Sequence, residues 1–179
     1  QDVASASTID FISAAVASFE RNPQHASVLA AKPLDGRARA YLQAVAFEVT
    51  RTLRLEFPRD DALRALAPVA LKLQSDGLLL APPHLPDVLS ALVEHHVLQE
   101  DEGAIRFAHH RFQEFFAAQQ VLAVCTPDEQ LRDALKIALH NAGWDEVLQL
   151  VAQNLRRESA RAQRVVLVAE ALIVDLGLA

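Results

Sequence analysis

The sequence predicts a mostly α-helical protein with one short β-hairpin, followed by helices that stack as in a solenoid. Apolar residues recur at helical spacing along nearly the whole chain, and only one short stretch alternates as a β-strand does. Glycine and proline number only 5 and 8 in 179 residues, which argues against disorder and against a loop-rich all-β fold. With 51% hydrophobic residues, the chain is long enough to bury a core.

Two helices are predicted in the first part of the chain. Ser7 and Thr8 are N-cap candidates for the first, which Asn22 and Pro23 should end. A polar connection over residues 32–36 leads to the second helix. Its apolar stripe consists of Leu42, Val45, Ala46, Val49 and Leu53.

The third predicted helix begins at Asp60-Asp61 and contains Pro68. Proline removes a backbone donor and clashes with the preceding turn, so it should kink or split this helix. Gly77 is the candidate C-cap. The Ala-Pro-Pro sequence at 81–83 predicts a linker, so residues 1–80 are taken as a first helical region.

The next region, 81–125, changes from helical to strand periodicity. Pro86 lies near the first position of a short helix. A hairpin is predicted over residues 97–108, because Ile105 and Phe107 alternate with a polar residue and Gly103 suits the turn. A hairpin directly after a helix is the wing of a winged-helix unit, so this region is predicted to be the end of one.

Residues 126–179 form the third predicted region, a solenoid-like set of helices. Helical periodicity resumes over 109–124, and a capping box with proline at the first helical position starts another helix at 126–129. Trp144 opens a further apolar stripe. The last helix, 159–176, is apolar on nearly every side and should have neighbours on both sides, as in a solenoid.

Composition excludes several classes of protein. The net charge of −6 argues against a protein built to hold nucleic acid, and the single Cys125 excludes a disulfide scaffold and a cysteine-based zinc site. The longest apolar run, 165–169, is too short for a membrane span, and no signal peptide is visible. We therefore expect a cytoplasmic protein without a membrane partner. The chain starts at Gln1 and contains no methionine, which predicts a piece of a longer polypeptide.

No catalytic motif occurs in the chain. The five glycines are scattered singly, so there is no phosphate loop or dinucleotide-binding loop, and we expect no enzymatic activity from this segment alone. Histidine pairs occur at 95–96 and 109–110, and with Glu94 or Glu114 they could in principle hold a metal ion. Adjacent helical residues point about 100° apart, so each pair can offer only one ligand to a common point. The favoured interpretation is solvated or capping histidines and no metal site.

The most distinctive segment is 107–118, FAHHRFQEFFAA. Three phenylalanines at i, i+3 and i+4 share one helical face, which predicts an aromatic ridge: Phe112, Phe115 and Phe116. Gln113 and Glu114 are expected to lie away from that face in the first turns, where the helix dipole favours a carboxylate. His109 falls at the junction of strand and helix, where anions are favoured. An alternative is that the ridge is core, Glu114 a helix-start charge and His109 a cap.

This segment resembles the signature F-x-H-x-x-F-Q-E-[FY]-[FL]-A-A that closes the winged-helix region of NACHT-type STAND NTPases. The residues that carry the resemblance are Phe107, His109, Phe112, Gln113, Glu114, Phe115, Phe116 and the two alanines that follow. The sequence around Trp144, GWDEVL, is similar to the W-x-E-V helix found soon after that signature, and the helices lie in the family's order. The phosphate loop and the acidic metal-binding strand of the family are missing here.

The resemblance implies a regulatory segment of a signalling ATPase. In this family a nucleotide-binding domain holds ATP or ADP with Mg²⁺, and the winged-helix region folds over it. A histidine at the position of His109 can contact the β-phosphate of ADP and so help to hold the closed state, which ATP exchange opens to permit oligomerisation. The implied partners are the chain's own upstream nucleotide-binding domain and other protomers or effector proteins.

Two other functions remain open. A winged-helix DNA-binding regulator would use residues 87–96 as its recognition helix, but these include no lysine or arginine, and the wing carries Glu100, Asp101 and Glu102, which repel phosphate. A plain helical scaffold for protein interactions is compatible with everything except the signature. Both the scaffold and the signalling segment predict exposed apolar surface over residues 165–174.

Overall fold

The computed structural model describes residues 8–123, 128–139, 142–155 and 159–176. The described residues confirm a mostly α-helical fold with a small antiparallel sheet. In chain order the elements are α1 (Thr8–Arg21), α2 (Pro23–Ala30), α3 (Ala38–Arg51), β1 (Phe57–Pro58), α4 (Arg59–Ser75), α5 (Leu85–Glu94), β2 (Leu98–Asp101), β3 (Ala104–Phe107), α6 (His110–Ala123), α7 (Asp128–Leu139), a 3-10 turn (Ala142–Trp144), α8 (Asp145–Leu155) and α9 (Ser159–Asp175).

The Asn22-Pro23 pair ends one helix and begins another. α1 ends at Arg21, as predicted, whereas α2 was not predicted. The Asn22 side chain accepts a hydrogen bond from the Gln24 amide at 3.1 Å, and Pro23 occupies the first turn, where its missing N–H costs nothing. α1 begins at Thr8, so Thr8 is not its N-cap, and the other candidate, Ser7, lies outside the described residues.

The predicted stripe of α3 is buried except at its last member. Its first four residues are between 0% and 2% exposed, whereas Leu53 is 56% exposed. α3 ends at Arg51, and Leu53 follows with a φ of +54°, in the left-handed region. The helical period therefore no longer applies at Leu53, and its assignment to the stripe was wrong.

Pro68 was predicted to kink or split the helix; α4 runs through it as one helix, so it does not split. Pro68 and Arg64 are both exposed, so water has access to the carbonyl that proline leaves without its helical donor. The helix ends at Ser75 with Asp76 as its C-cap, so the predicted cap Gly77 lies one residue beyond the cap. Gly77 has a φ of +71°, and the Leu78 amide donates to the Leu73 carbonyl at 2.9 Å in a Schellman arrangement.

The sheet has the strand order β1-β3-β2, with both pairs antiparallel. The predicted hairpin is present as β2 and β3. Glu102 and Gly103 link them with positive φ values of 47° and 80°. Glycine at 103 suits this turn because it has no Cβ to clash at a positive φ. Phe57 of β1 pairs with Ile105, so β1 adds a third strand to the hairpin. β1 has only two residues, which is too short for a sequence pattern to predict. The order α3-β1-α4-α5-β2-β3 is that of a winged-helix unit.

The C-terminal helices continue the same core. α8 packs against α6 and α9, and α9 also packs against α7. One apolar cluster extends from Ile12 to Leu172 and includes residues of all three predicted regions. The predicted boundary at 125/126, and Cys125 with it, lies outside the described residues.

α9 carries apolar side chains on its exposed side as well as in the core. Val165 and Leu172 are buried, whereas Val166, Leu167 and Val174 are 51%, 65% and 67% exposed. The surface expected over residues 165–174 is therefore present. Among the helices that the structure describes, none combines the length and the apolarity needed to cross a membrane.

Candidate functional site

The junction between β3 and α6 holds His109 at the surface. The Ala108 amide donates to the Val97 carbonyl at 2.8 Å, which closes the strand side of the junction. The His109 carbonyl then accepts the Phe112 amide at 2.9 Å and so begins the helix. The imidazole is exposed and meets the Phe112 ring edge-on, with 5.3 Å between the ring centroids. His109 therefore presents its side chain to solvent at the positive end of the α6 dipole.

The aromatic residues of the segment form part of the core. Phe107, Phe115 and Phe116 are 7%, 3% and 1% exposed, and Phe112 is half-buried. The ring centroids of Phe107 and Phe116 lie 6.3 Å apart, and those of Phe115 and Phe116 lie 5.4 Å apart. These phenylalanines fasten the wing to the helix behind it.

Gln113 is buried and joins α6 to α3, although it was expected to lie away from the packed face. Its Nε2 donates to the Thr50 hydroxyl at 3.2 Å, and that hydroxyl donates to the Ala46 carbonyl at 2.8 Å. Every residue from 113 to 118 is buried, because α1, α3, α8 and β3 all pack around α6. The sequence held one signal for this bond, a hydroxyl residue on the apolar stripe of α3.

Glu114 is also buried, and it anchors a network of charges. His110 Nε2 lies 3.2 Å from one carboxylate oxygen, and Arg111 Nη1 donates to the other at 2.9 Å. The same Arg111 nitrogen donates to Glu146 of α8 at 2.7 Å. Hydrogen bonds to Glu146 and to Glu114 raise the pKa of Arg111. His110 and Arg111, the two cationic residues that follow His109, thus both have carboxylate partners.

Replacing Arg111 by alanine should destabilise the protein through the charge that it leaves behind. Glu114 would then be a buried carboxylate whose remaining partner is His110, which is charged only when protonated. We expect the free energy of unfolding at pH 8 to fall by about 1–2 kcal/mol. Urea denaturation followed by circular dichroism measures this loss.

The matched controls separate buried from exposed charge. Glu146→Gln removes only the outer partner, which is 49% exposed, and should cost less than about 1 kcal/mol. Glu114→Gln, added to Arg111→Ala, neutralises the stranded carboxylate and should restore part of the stability. If the double variant is less stable than Arg111→Ala alone, the assignment of the loss to a stranded charge is wrong.

Trp144 lies in the core, next to α3. It is fully buried, and its ring meets Phe47 edge-on with 5.3 Å between the centroids. Its indole Nε1 has no hydrogen-bond partner among the described residues. Trp144 therefore packs the turn before α8 against α3, a contact that the sequence did not predict.

The histidine pairs do not converge on a metal site. Within the described residues, no group of three metal-ligating side chains lies close enough to hold an ion. His95 is buried and its ring centroid lies 5.2 Å from that of His25, while those of His25 and His96 lie 5.7 Å apart. No sequence signal connects His25 of α2 to residues seventy positions further on.

A cleft lies between α3 and α4, with Gln120 and Ala123 of α6 also lining it, and His109 does not line it. Comparisons with family models, with curated proteins and with solved structures gave no match to this chain.

Proposed function

We propose that this chain is the regulatory winged-helix and helical segment of a NACHT-type signalling ATPase, in which it couples nucleotide state to conformational switching and oligomerisation. The observation that carries the proposal is the exposed His109 imidazole at the start of α6, inside a segment that resembles the family signature. The aromatic residues around it are packed in the core, so His109 is the signature side chain available to a ligand.

The position of His109 suits contact with a phosphate group. A helix N-terminus favours anions, and an imidazole can donate one hydrogen bond to a phosphate oxygen. Arg111, the next cation along the chain, has carboxylate partners. One charge-assisted hydrogen bond contributes about 1.5–3 kcal/mol, whereas micromolar affinity needs about 8 kcal/mol. ATP or ADP with Mg²⁺ would therefore be held mainly by the upstream nucleotide-binding domain.

The contacts behind His109 support a role in conformational coupling. Gln113 ties the start of α6 to α3 through Thr50, and Arg111 ties it to α8 through Glu146. A shift at the start of α6 would therefore strain contacts with two further helices. A differential contact of a few kcal/mol is the size that a two-state switch requires.

The substitution His109→Ala tests the switch in the polypeptide that joins this chain to the proposed nucleotide-binding domain. ADP affinity should fall by about 10- to 100-fold, because one charge-assisted hydrogen bond is lost, and resting activity should rise. Isothermal titration with ADP measures the affinity. His110→Ala is the matched control, because His110 is paired with Glu114, and it should leave ADP affinity nearly unchanged.

Two results would contradict the proposal. One is an unchanged ADP affinity and resting activity in His109→Ala. The other is the absence of a phosphate loop from the coding sequence upstream of Gln1, because the proposal requires a nucleotide-binding domain there.

A helical interaction scaffold is the second candidate, and the exposed apolar side of α9 favours it. Val166, Leu167 and Val174 would be covered by further helices in a solenoid or by a protein partner. The two candidates differ in nucleotide dependence, since a scaffold should bind its partner equally with ADP and with ATP. The DNA-binding alternative is disfavoured by the exposed carboxylates of Asp87 and Glu94 on α5.

A further inference from the structure

A cleft of about 910 Å³ lies between α3 and α4, away from His109. Its floor is apolar and formed by buried or half-buried side chains of both helices and of β1: Ala44, Phe47, Phe57, Ala65, Val69 and Leu73. Covering this floor with apolar side chains of a partner removes its surface from water and so favours binding.

The shape of the cleft matches a helix. The lining residues of α3 recur between positions 40 and 51, and those of α4 between positions 61 and 73, at helical spacing. At about 1.5 Å a residue, each wall is about 16–18 Å long, the length of three helical turns. Three of the lining residues have small side chains: Ala40, Ala44 and Ala65. A third helix can therefore approach α3 and α4 closely.

The rim of the cleft presents positive charge to solvent. The side chains of Arg51, Arg64 and Lys72 are 46%, 73% and 76% exposed, whereas those of their partners Glu48, Asp61 and Asp76 are 31%, 24% and 44% exposed. Arg51 and Arg64 each pair with a carboxylate of their own helix, and Lys72 pairs with Asp76 at the C-cap of α4. A guanidinium has five donor hydrogens and an ammonium three, so each can also donate to a second carboxylate. The exposed ends thus favour an acidic partner, although the chain as a whole carries −6.

We propose that the α3–α4 cleft is a docking site for an acidic amphipathic helix of a protein partner. The apolar stripe of that helix, at i, i+3, i+4 and i+7, covers the floor, and its flanking Glu and Asp residues meet Arg51, Arg64 and Lys72. This site does not depend on nucleotide or on His109, so it stands or falls separately from the proposed function.

Three synthetic peptides of about 14 residues test the site on the full chain by fluorescence anisotropy. The first carries leucines at i, i+3, i+4 and i+7 with flanking glutamates, the second replaces the glutamates by lysines, and the third replaces the leucines by serines. The acidic leucine peptide should bind best, with each of the other two at least about tenfold weaker, and added salt should weaken its binding.

Substitutions at the rim of the cleft test whether the acidic leucine peptide binds there. Arg64→Glu combined with Lys72→Glu should weaken the acidic leucine peptide by about tenfold or more and strengthen the lysine peptide. Both side chains are largely exposed, so the fold should tolerate the change, and Arg64→Gln with Lys72→Gln is a milder second pair. Arg106→Glu on β3, outside the cleft, is the matched control and should have little effect.

Several outcomes overturn the proposal. These are no binding of the acidic leucine peptide, equal binding of the serine peptide, and an equal effect of the rim variants and the control. A dimer of the chain alone that the rim variants dissociate, seen by analytical ultracentrifugation, would make a second copy the occupant and would also overturn it.

Discussion

Replacing Trp144 by alanine is expected to lower the free energy of unfolding by about 3–5 kcal/mol, the usual loss for a large buried aromatic residue. Trp144 is fully buried in the cluster that joins α8 to α3, where it meets Phe47 edge-on. The alanine variant would lose this contact and leave a cavity between the helices. Trp144 is the only tryptophan, so the alanine variant has no tryptophan fluorescence to follow. Unfolding is therefore measured by far-UV circular dichroism.

Trp144→Phe should cost much less, about 1–2 kcal/mol. Phenylalanine keeps an aromatic ring beside Phe47 and removes the buried indole N–H, which has no partner among the described residues. Phe11→Ala is a control of the same chemistry at an exposed site, since Phe11 is 75% exposed, and it should change stability by less than about 0.5 kcal/mol. If Trp144→Ala is as stable as Phe11→Ala, Trp144 does not hold the turn before α8 against α3.

Features set by neighbouring residues were the ones that the sequence predicted well. The buried stripe of α3 follows from the spacing of its apolar residues. The turn at Gly77 follows from the freedom of glycine to adopt a positive φ. The hairpin follows from alternation and from Gly103. β1 has only two residues and exists because β3 offers it an edge, so no local pattern could predict it.

The candidate site divides in the same way. The burial of Phe115 and Phe116 follows from their spacing on a helix. The burial of Gln113 and Glu114 does not, because it depends on how many elements surround α6. A periodicity argument assigns one apolar face to a helix, and it fails for a central helix that has neighbours on every side.

A second large effect is expected from His95 as the pH falls. Burial, followed by the nearby His25 and with a smaller contribution from His96, lowers the pKa of His95 from 6.5 to about 4, while Glu20 acts in the opposite direction. Glu20 is itself paired with Arg39 at 2.5 Å, which weakens its help to a charged imidazole. Between pH 6.5 and pH 4 the unfolded chain therefore binds a proton at this position that the folded chain does not bind.

The sign of the effect follows from this difference in proton binding. A lowered pKa leaves stability intact above pH 6.5 and removes it as the pH falls, by about 2 kcal/mol at pH 5 and about 3 kcal/mol at pH 4. Urea unfolding followed by the fluorescence of the buried Trp144 measures this loss. Carboxylates in ion pairs add their own acid dependence, so the quantity to compare is the difference between wild type and variant at each pH.

His95→Leu should remove the part of the acid dependence that belongs to this imidazole. His95 lines a small pocket with Val16, Leu42 and Val97, and with Glu20 at its polar side, so leucine would meet mostly apolar side chains there. The stability of this variant relative to wild type should therefore rise by about 2 kcal/mol between pH 7.5 and pH 5. His84→Gln, at an exposed histidine, leaves His95 in place and should keep the wild-type loss. If His95→Leu and wild type lose stability in parallel, His95 takes up its proton in the folded protein, and the acid sensitivity arises from the ion pairs instead.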